Sequence, residues 1–266
     1  ATVQFAPTSL SQPEATSPMA FIVTLSNPVQ SGVTLTLNST PGTASAADFA
    51  AISGGTVTFP PNSTTAQTVS VVINDDSLFE AAEDYTLTLS NLVATGSVTL
   101  PPGAATATGT ITNDDDAPTI TINAPSVTEG NPPTNPPLNF VVSLNAASGL
   151  PVSFNYATNG AAGTATSGTD YANVPITAGS ISAGQLSVTL PVTVISDLLS
   201  EGNETVVVDL SAISNANVTS LSATGTIADD DVAQITITDA GLTEGDSGSQ
   251  NLQFTVNRSS NGGAFS

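Results

Sequence analysis

The residues of this chain that could do chemistry are carboxylates, and they recur at fixed spacing. Glu14, Glu129 and Glu244 stand 115 residues apart each time, the last two inside Val127-Thr-Glu-Gly130 and Leu242-Thr-Glu-Gly245. Asp75, Asp76, Glu80 and Glu83 are answered by Asp197, Glu201 and Glu204. Asp48 is answered by Asp170, and the run Asp114, Asp115, Asp116 by Asp229, Asp230, Asp231. The rest of the inventory excludes most alternatives. There is no His, Cys, Trp or Lys, and the one basic side chain is Arg258, to which no role is assigned. No Ser-His-Asp or Cys-His nucleophile and no His/Cys zinc site can be built from such a set. What remains is carboxylate chemistry, meaning hard cations or acid–base pairs. A net charge of −21 leaves nothing to neutralise nucleic-acid phosphates, and an anionic membrane surface would repel the chain.

The elements that must position these acids are read from the bulk of the chain. Hydrophobic residues reach 39% against 9% charged, so a core can be buried despite the acidity. No apolar run approaches a membrane span. The chain opens at Ala1 with neither Met nor a signal peptide, and is expected to be a mature or excised piece. The internal repeat divides it into 1–116, 117–231 and the opening strands of an incomplete third copy over 232–266. Short alternating apolar/polar runs fall at 3–6, 20–25, 33–37, 56–59, 67–73, 85–89 and 105–112. A matching set falls at 119–123, 138–144, 152–157, 180–182, 186–195, 205–211 and 221–228. Seven such runs without a helical period predict an immunoglobulin-like, seven-stranded antiparallel β-sandwich per repeat, an all-β chain in tandem, head to tail.

If successive strands alternate in direction, the first, third and fifth connections and the exit from the seventh strand share one end. Counting Glu244, 18 of the 22 acids fall there; Asp84, Asp209, Asp239 and Asp246 do not, and the opposite-end connections contain no acid. Carboxylates so focused repel one another unless cations sit among them. Calcium takes six to eight oxygens in flexible geometry and fits so crowded a cage better than magnesium. Transition metals would want nitrogen or sulfur. A carboxylate pair of the glycosidase type lacks the aromatic surplus to stack a sugar, with nine Phe and three Tyr. Most of these lie on strands, and Phe49 and Tyr171 read as packing beside the acids. Asn38-Ser-Thr40 and Asn62-Ser-Thr64 fit glycosylation sequons, a pattern common by chance.

Thr128-Glu-Gly130, Ser167-Gly-Thr-Asp-Tyr171, Ile195-Ser-Asp197 with Glu201-Gly-Asn-Glu204, and Thr224-Gly-Thr-Ile227 ending in Asp229-Asp-Asp231 come in this order, with counterparts in the first repeat. The set resembles the Calx-beta family, calcium-binding sandwiches of sodium–calcium exchangers that also occur in tandem in bacterial surface proteins. The resemblance implies Ca²⁺ ligands at Glu14, Asp48, Asp75, Asp76, Glu80, Glu83, Asp114, Asp115 and Asp116. In the second repeat it implies Glu129, Asp170, Asp197, Glu201, Glu204, Asp229, Asp230 and Asp231. Repeat 1 departs in lacking the Gly after Glu14, and in two extra residues assigned to 78–82 or nearby loops. Repeat 2 departs in having Ser196 where repeat 1 has Asp75.

The resulting expectation is a non-enzymatic, secreted or cell-surface protein, bacterial by resemblance. Calcium at the domain junctions would rigidify a rod, stalk or filament, because only two or three residues separate each Asp run from the next strand. The alternative is a regulatory calcium sensor acting on an attached membrane protein. Expected partners are calcium, neighbouring repeats, and other copies in a filament or an adhesion partner. Two strands cannot fold alone, so the third copy needs the rest of a longer array or strands from another molecule.

Overall fold

A computed structural model describes residues 1–258; 259–266, which include the end of the expected third repeat, lie outside the described residues. The chain divides into two compact units, one built on Ala1–Asp116 and a second that begins at Ala117. Unit 1 carries β1 (Val3–Phe5), β2 (Ser9–Pro13), β3 (Met19–Leu25), β4 (Val33–Pro41), β5 (Gly55–Phe59), β6 (Gln67–Val71), β7 (Glu83–Ala94) and β8 (Thr106–Thr112). A single 3₁₀ turn, Pro102–Ala104, interrupts the last connection. The strands form a three-stranded sheet, β1-β3-β6, facing a five-stranded sheet, β2-β8-β7-β4-β5.

Unit 2 repeats the plan. It contains β9 (Thr119–Ile122), β10 (Ser126–Thr128), β11 (Pro137–Leu144), β12 (Val152–Thr158), β13 (Thr177–Ile181), β14 (Ser187–Thr193), β15 (Glu204–Ser214), β16 (Asn217–Val218) and β17 (Ser222–Ala228). Its sheets run β14-β11-β9-β16 and β10-β17-β15-β12-β13. Beyond it β18 (Ile235–Thr238) and β19 (Thr255–Arg258) pair as an antiparallel hairpin, with Ile235, Ile237 and Val256 exposed.

Alternation explains the strands. Met19, Phe21, Val23 and Leu25 point inward from β3, while Ala20, Ile22 and Thr24 point out. Tyr85, Leu87 and Leu89 do the same on β7. In unit 1 the Tyr85 ring stacks on Phe49 at 4.5 Å and 16°, meets Phe21 edge-on, and donates its hydroxyl to Met19 Sδ at 3.2 Å. The repeated Thr-Gly-Thr makes room. A Cβ on Gly109 would lie 2.6 Å from Tyr85 Cε1, and one on Gly225 2.8 Å from Leu138 Cδ2.

The architecture departs from seven antiparallel strands in one respect that matters for the acids. The first strand of each sandwich is broken. Its first half stays in the smaller sheet, β1 with β3 and β9 with β11, antiparallel. Its second half crosses over and pairs in parallel with the last strand, β2 with β8 and β10 with β17. A parallel ladder brings both strands to the same end, so Pro13 and Thr112 finish side by side, as do Thr128 and Ala228. Glu14 and Glu129, the next residues, therefore meet the Asp runs that leave β8 and β17. The extra residues expected at 78–82 or in nearby loops do not fall at 78–82. Phe49 bridges Ile73 and Tyr171 bridges Val194, so Ile73 to Glu83 and Val194 to Glu204 are connections of equal length. Unit 1 is longer between β7 and β8 instead.

Candidate metal centres

Among the described residues, four carboxylate trios sit at the ends of the two sandwiches. Glu14, Asp76 and Asp115 form the outer trio of unit 1, and Asp48, Glu80 and Glu83 the inner one. Glu129, Asp229 and Asp231, then Asp170, Glu201 and Glu204, are their counterparts in unit 2. Each member offers an oxygen within 4.8 Å of the others. Glu14 and Glu129 are buried, 6% and 7% exposed. In unit 1 a cavity of about 10 Å³, close to the size of one water, is lined by Glu14, Asp48, Glu80, Glu83 and Asn113, and so touches both trios.

Local structure holds each side chain. Asp48 is set in a turn whose Ser45 N–H donates to its Oδ2 at 2.5 Å, and Asn74 N–H donates to its carbonyl at 2.9 Å. Phe49, buried against Tyr85, plugs that turn into the core. Asp170 repeats the arrangement with Thr166 N–H at 2.5 Å, Ile195 N–H at 2.9 Å and Tyr171 as the buried plug. Glu83 and Glu204 open β7 and β15, opposite Ile111 and Ile227.

Five further expected residues lie beside the trios rather than in them. Asp114 N–H donates to Glu14 Oε1 (3.4 Å), and Asp230 Oδ1 accepts from Gly130 N–H (3.0 Å). Asp197 N–H donates to Glu129 Oε1 (3.0 Å), while its own Oδ1 accepts from Leu199 N–H (2.6 Å). Asp75 and Asp116 are exposed.

The hydrogen bonds also correct the register between the two Asp runs. Asn113 Oδ1 accepts from Glu80 N–H (2.9 Å), and Asp229 Oδ2 accepts from Glu201 N–H (3.1 Å). Asn113 is thus the counterpart of Asp229, Asp115 that of Asp231, and Asp116 falls opposite Val232. Unit 2 loses the carboxylate of Asp75 at Ser196 but gains one at Asp229. Sequence reasoning missed the amides and hydroxyls that frame the acids. Besides Asn113, whose Nδ2 donates to Asp115 O (2.9 Å), Asn203 Oδ1 accepts from Asp229 N–H (3.2 Å). Buried Ser196 donates its hydroxyl to Glu129 O (2.5 Å), and its N–H donates to Asn135 Oδ1 (3.2 Å). The signal for Asn113 was its place at the head of Asn113-Asp-Asp-Asp116.

Crowding is visible in the ionisation of these groups. Burial, then the hydrogen bond to Asp48 and the charges of Asp48, Glu80 and Glu14, push Glu83 up to about 7. Glu204 rises to about 7 through burial and its contact with Asp170. Glu129 also rises to about 7, through burial and the charges of Asp197, Asp231 and Asp229, against an opposing hydrogen bond from Asp197 N–H. Glu14, Glu80, Glu201, Asp115 and Asp231 are all raised, burial first and neighbouring carboxylates next. Asp48 runs the other way. Burial would raise it, but hydrogen bonds from Ser45 and Glu83 outweigh that and hold it low. Glu83 and Glu204 are thus each raised in part by a hydrogen bond to the aspartate of their own trio, Asp48 in unit 1 and Asp170 in unit 2. In each outer trio, the buried Asp115 Oδ2 and its counterpart Asp231 Oδ2 have no hydrogen-bond partner. A donor set of carboxylate oxygens with such orphaned atoms fits a hard cation.

Fold and site together define a tandem of β-sandwiches, each closed at one end by two adjoining carboxylate trios. The Calx-beta domain model matches residues 1–116 and again 113–241. The chain belongs to the Calx-beta family. Among solved structures, CBD12 from CALX1.2 is 19% identical over 80% of this chain and 81% of its own, with a TM-score of 0.40. The apo-form Calx CBD1 domain is 26% identical, covering 43% of this chain and 97% of its own, with a TM-score of 0.39. The calcium binding domain CBD12 of CALX1.1 is 18% identical over 79% of each chain, with a TM-score of 0.39. No curated protein matches the chain.

Proposed function

We propose that the two sandwiches are non-catalytic calcium-binding modules of a secreted or cell-surface protein, and that the ions stiffen the chain where one repeat follows another. The observation that carries this reading is the orphaned, buried oxygen of Asp115 and Asp231, recurring at equivalent positions within carboxylate trios of both units. Glu14, Asp76 and Asp115 would hold one ion, and Asp48, Glu80 and Glu83 another; Glu129, Asp229 and Asp231, with Asp170, Glu201 and Glu204, would do the same in unit 2. Bound Ca²⁺ supplies the positive charge that lets all these groups ionise together. The flanking Asp75, Asp114, Asp116, Asp197 and Asp230 complete the oxygen count or draw cations in.

The stiffening role is supported by chain adjacency. Asp115 and Asp116 directly precede Ala117, where the second unit begins. An extracellular setting is supported by the near absence of Lys and Arg, which leaves almost no trypsin-type cleavage site. The test is calorimetric titration of Ca²⁺ into the chelator-stripped chain, with thermal unfolding in parallel and Asp115→Ala with Asp231→Ala as controls. Several sites at about 10⁻⁴–10⁻³ M, with a large rise in melting temperature, are expected of an always-filled extracellular module. Sites near 10⁻⁶ M would instead favour a sensor. Absence of both heat and stabilisation would overturn the calcium reading.

A further inference from the structure

Two acids of the folded units stand apart from the trios, Asp84 and Asp209, and both are tied to the loop that carries the inner-trio aspartate. Asp84 follows Glu83. Its Oδ1 accepts from Thr43 N–H and from Thr43 Oγ1, each at 2.9 Å, and its own N–H donates to Thr43 Oγ1 at 2.9 Å. Its carbonyl accepts from Gly42 N–H and Ala44 N–H, both at 3.0 Å. These hydrogen bonds from Thr43 hold the Asp84 carboxyl below its usual range, so the bonds are made to the charged form. The approach is too close for a side chain at residue 42, where a Cβ would lie 2.5 Å from Asp84 Oδ1.

Unit 2 builds the same clasp from different chemistry. Thr205 follows Glu204, and its Oγ1 accepts from Thr164 N–H at 3.0 Å. Its N–H donates to Thr164 Oγ1 at 2.8 Å, and its carbonyl accepts from Thr164 and Ala165 N–H at 3.0 Å. Gly163 occupies the place of Gly42, so Gly42-Thr-Ala44 and Gly163-Thr-Ala165 are one motif used twice. Asp209, farther along β15, adds a second brace by accepting from Asn159 Nδ2 at 2.7 Å.

We propose that Asp84 with Thr43, and Thr205 with Thr164, are positioning residues that set Asp48 beside Glu83 and Asp170 beside Glu204. The ion-binding role of those pairs rests on the function proposed above. The clasp acts through its hydrogen bonds, not through charge, since a carboxylate in one unit is replaced by a hydroxyl in the other. Side chains that orient a metal ligand from behind are typically worth about 10–100-fold in affinity.

The experiment compares Asp84→Ala with Asp84→Asn and Thr205→Val with Thr205→Ser in the full chain. Two readouts are taken: calorimetric Ca²⁺ titration, and amide hydrogen exchange of Ser45, Asp48, Thr166 and Asp170 in chelator. Asp84→Ala and Thr205→Val are expected to weaken calcium about 10–100-fold in their own unit alone and to speed exchange in that unit's loop. Asp84→Asn and Thr205→Ser keep an acceptor and are expected to behave as wild type. Equal losses for Asp84→Ala and Asp84→Asn would replace the clasp with a long-range charge effect. Wild-type affinity in all four variants would overturn it outright. If the wild type takes up no calcium, the proposed function fails, and unchanged exchange in Asp84→Ala and Thr205→Val then overturns the clasp separately. Should Asp84→Ala not fold, the two Thr205 variants decide alone.

Discussion

Calcium uptake should expel protons, and the number follows from the site. Glu83, Glu129 and Glu204 are each raised to about 7, chiefly by burial and then by the carboxylates around them. At pH 6 a group of that pKa is about 90% protonated, so converting it to a ligand releases about 0.9 proton; at pH 8 it releases about 0.1. The whole chain should shed between two and three protons, roughly, on saturation at pH 6 and about 0.3 at pH 8. Calorimetric titration in buffers of different ionisation enthalpy measures this directly, because the observed heat then changes linearly with buffer and the slope is the proton count. Glu83→Gln should remove close to one proton from the count. Each coupled proton also lowers apparent affinity about tenfold per pH unit below 7. Heats independent of buffer at pH 6, with affinity flat from pH 8 to 6, would refute the crowding argument even if calcium binds.

The same groups set the stability of the calcium-free chain. Their folded pKa lies above the ordinary 4.5, so the fold binds more protons than the unfolded chain between pH 4.5 and 7. In chelator the melting temperature should therefore fall as pH rises through that window, and saturating calcium should flatten the profile. Asp115→Asn with Asp231→Asn should raise the calcium-free melting temperature by relieving repulsion while cutting the gain on adding calcium. At a hundredfold excess over Kd each lost ion removes about 2.7 kcal/mol of stabilisation, measurable by denaturant unfolding. Gly109→Ala should cost at least about 1–3 kcal/mol, since its Cβ meets the fixed Tyr85 ring, and chemical denaturation of the variant checks it.

The fold was legible because the acids and the strands repeat together. A 115-residue offset carries Glu14 to Glu129, and the apolar alternation of Met19–Leu25 reappears in Pro137–Leu144. β2 and β10 were not legible. Ser9–Pro13 and Ser126–Thr128 are short and largely exposed, so no inward-facing pattern marks them as strands. Their pairing was nonetheless the step that delivered Glu14 and Glu129 to the right end. Runs of identical Asp likewise cannot declare their own register. The Thr-Gly-Thr-Ile segment before each run sets it, and the backbone N–H groups of Glu80 and Glu201, reaching Asn113 and Asp229, show that these positions correspond. The polar frame of Asn113, Asn203 and Ser196 was hidden for a related reason: short amides and hydroxyls in loops look like turn residues until their partners are known.

The crossover of the first strand has a mechanical consequence. In unit 1, β2 lies parallel to β8 through five residue pairs, Ser9 with Thr108 to Pro13 with Thr112. Tension applied to the two ends of that unit slides these strands along each other, so the whole ladder is loaded at once instead of peeling bond by bond. Unit 2 opposes the same sliding with three pairs, Ser126 with Thr226 to Thr128 with Ala228. The two ladders thus differ in the length of chain that resists such sliding, five pairs against three. The outer trios stand where those ladders end, so an ion held by Glu14 and Asp115, or by Glu129 and Asp231, would join the two strands at that point.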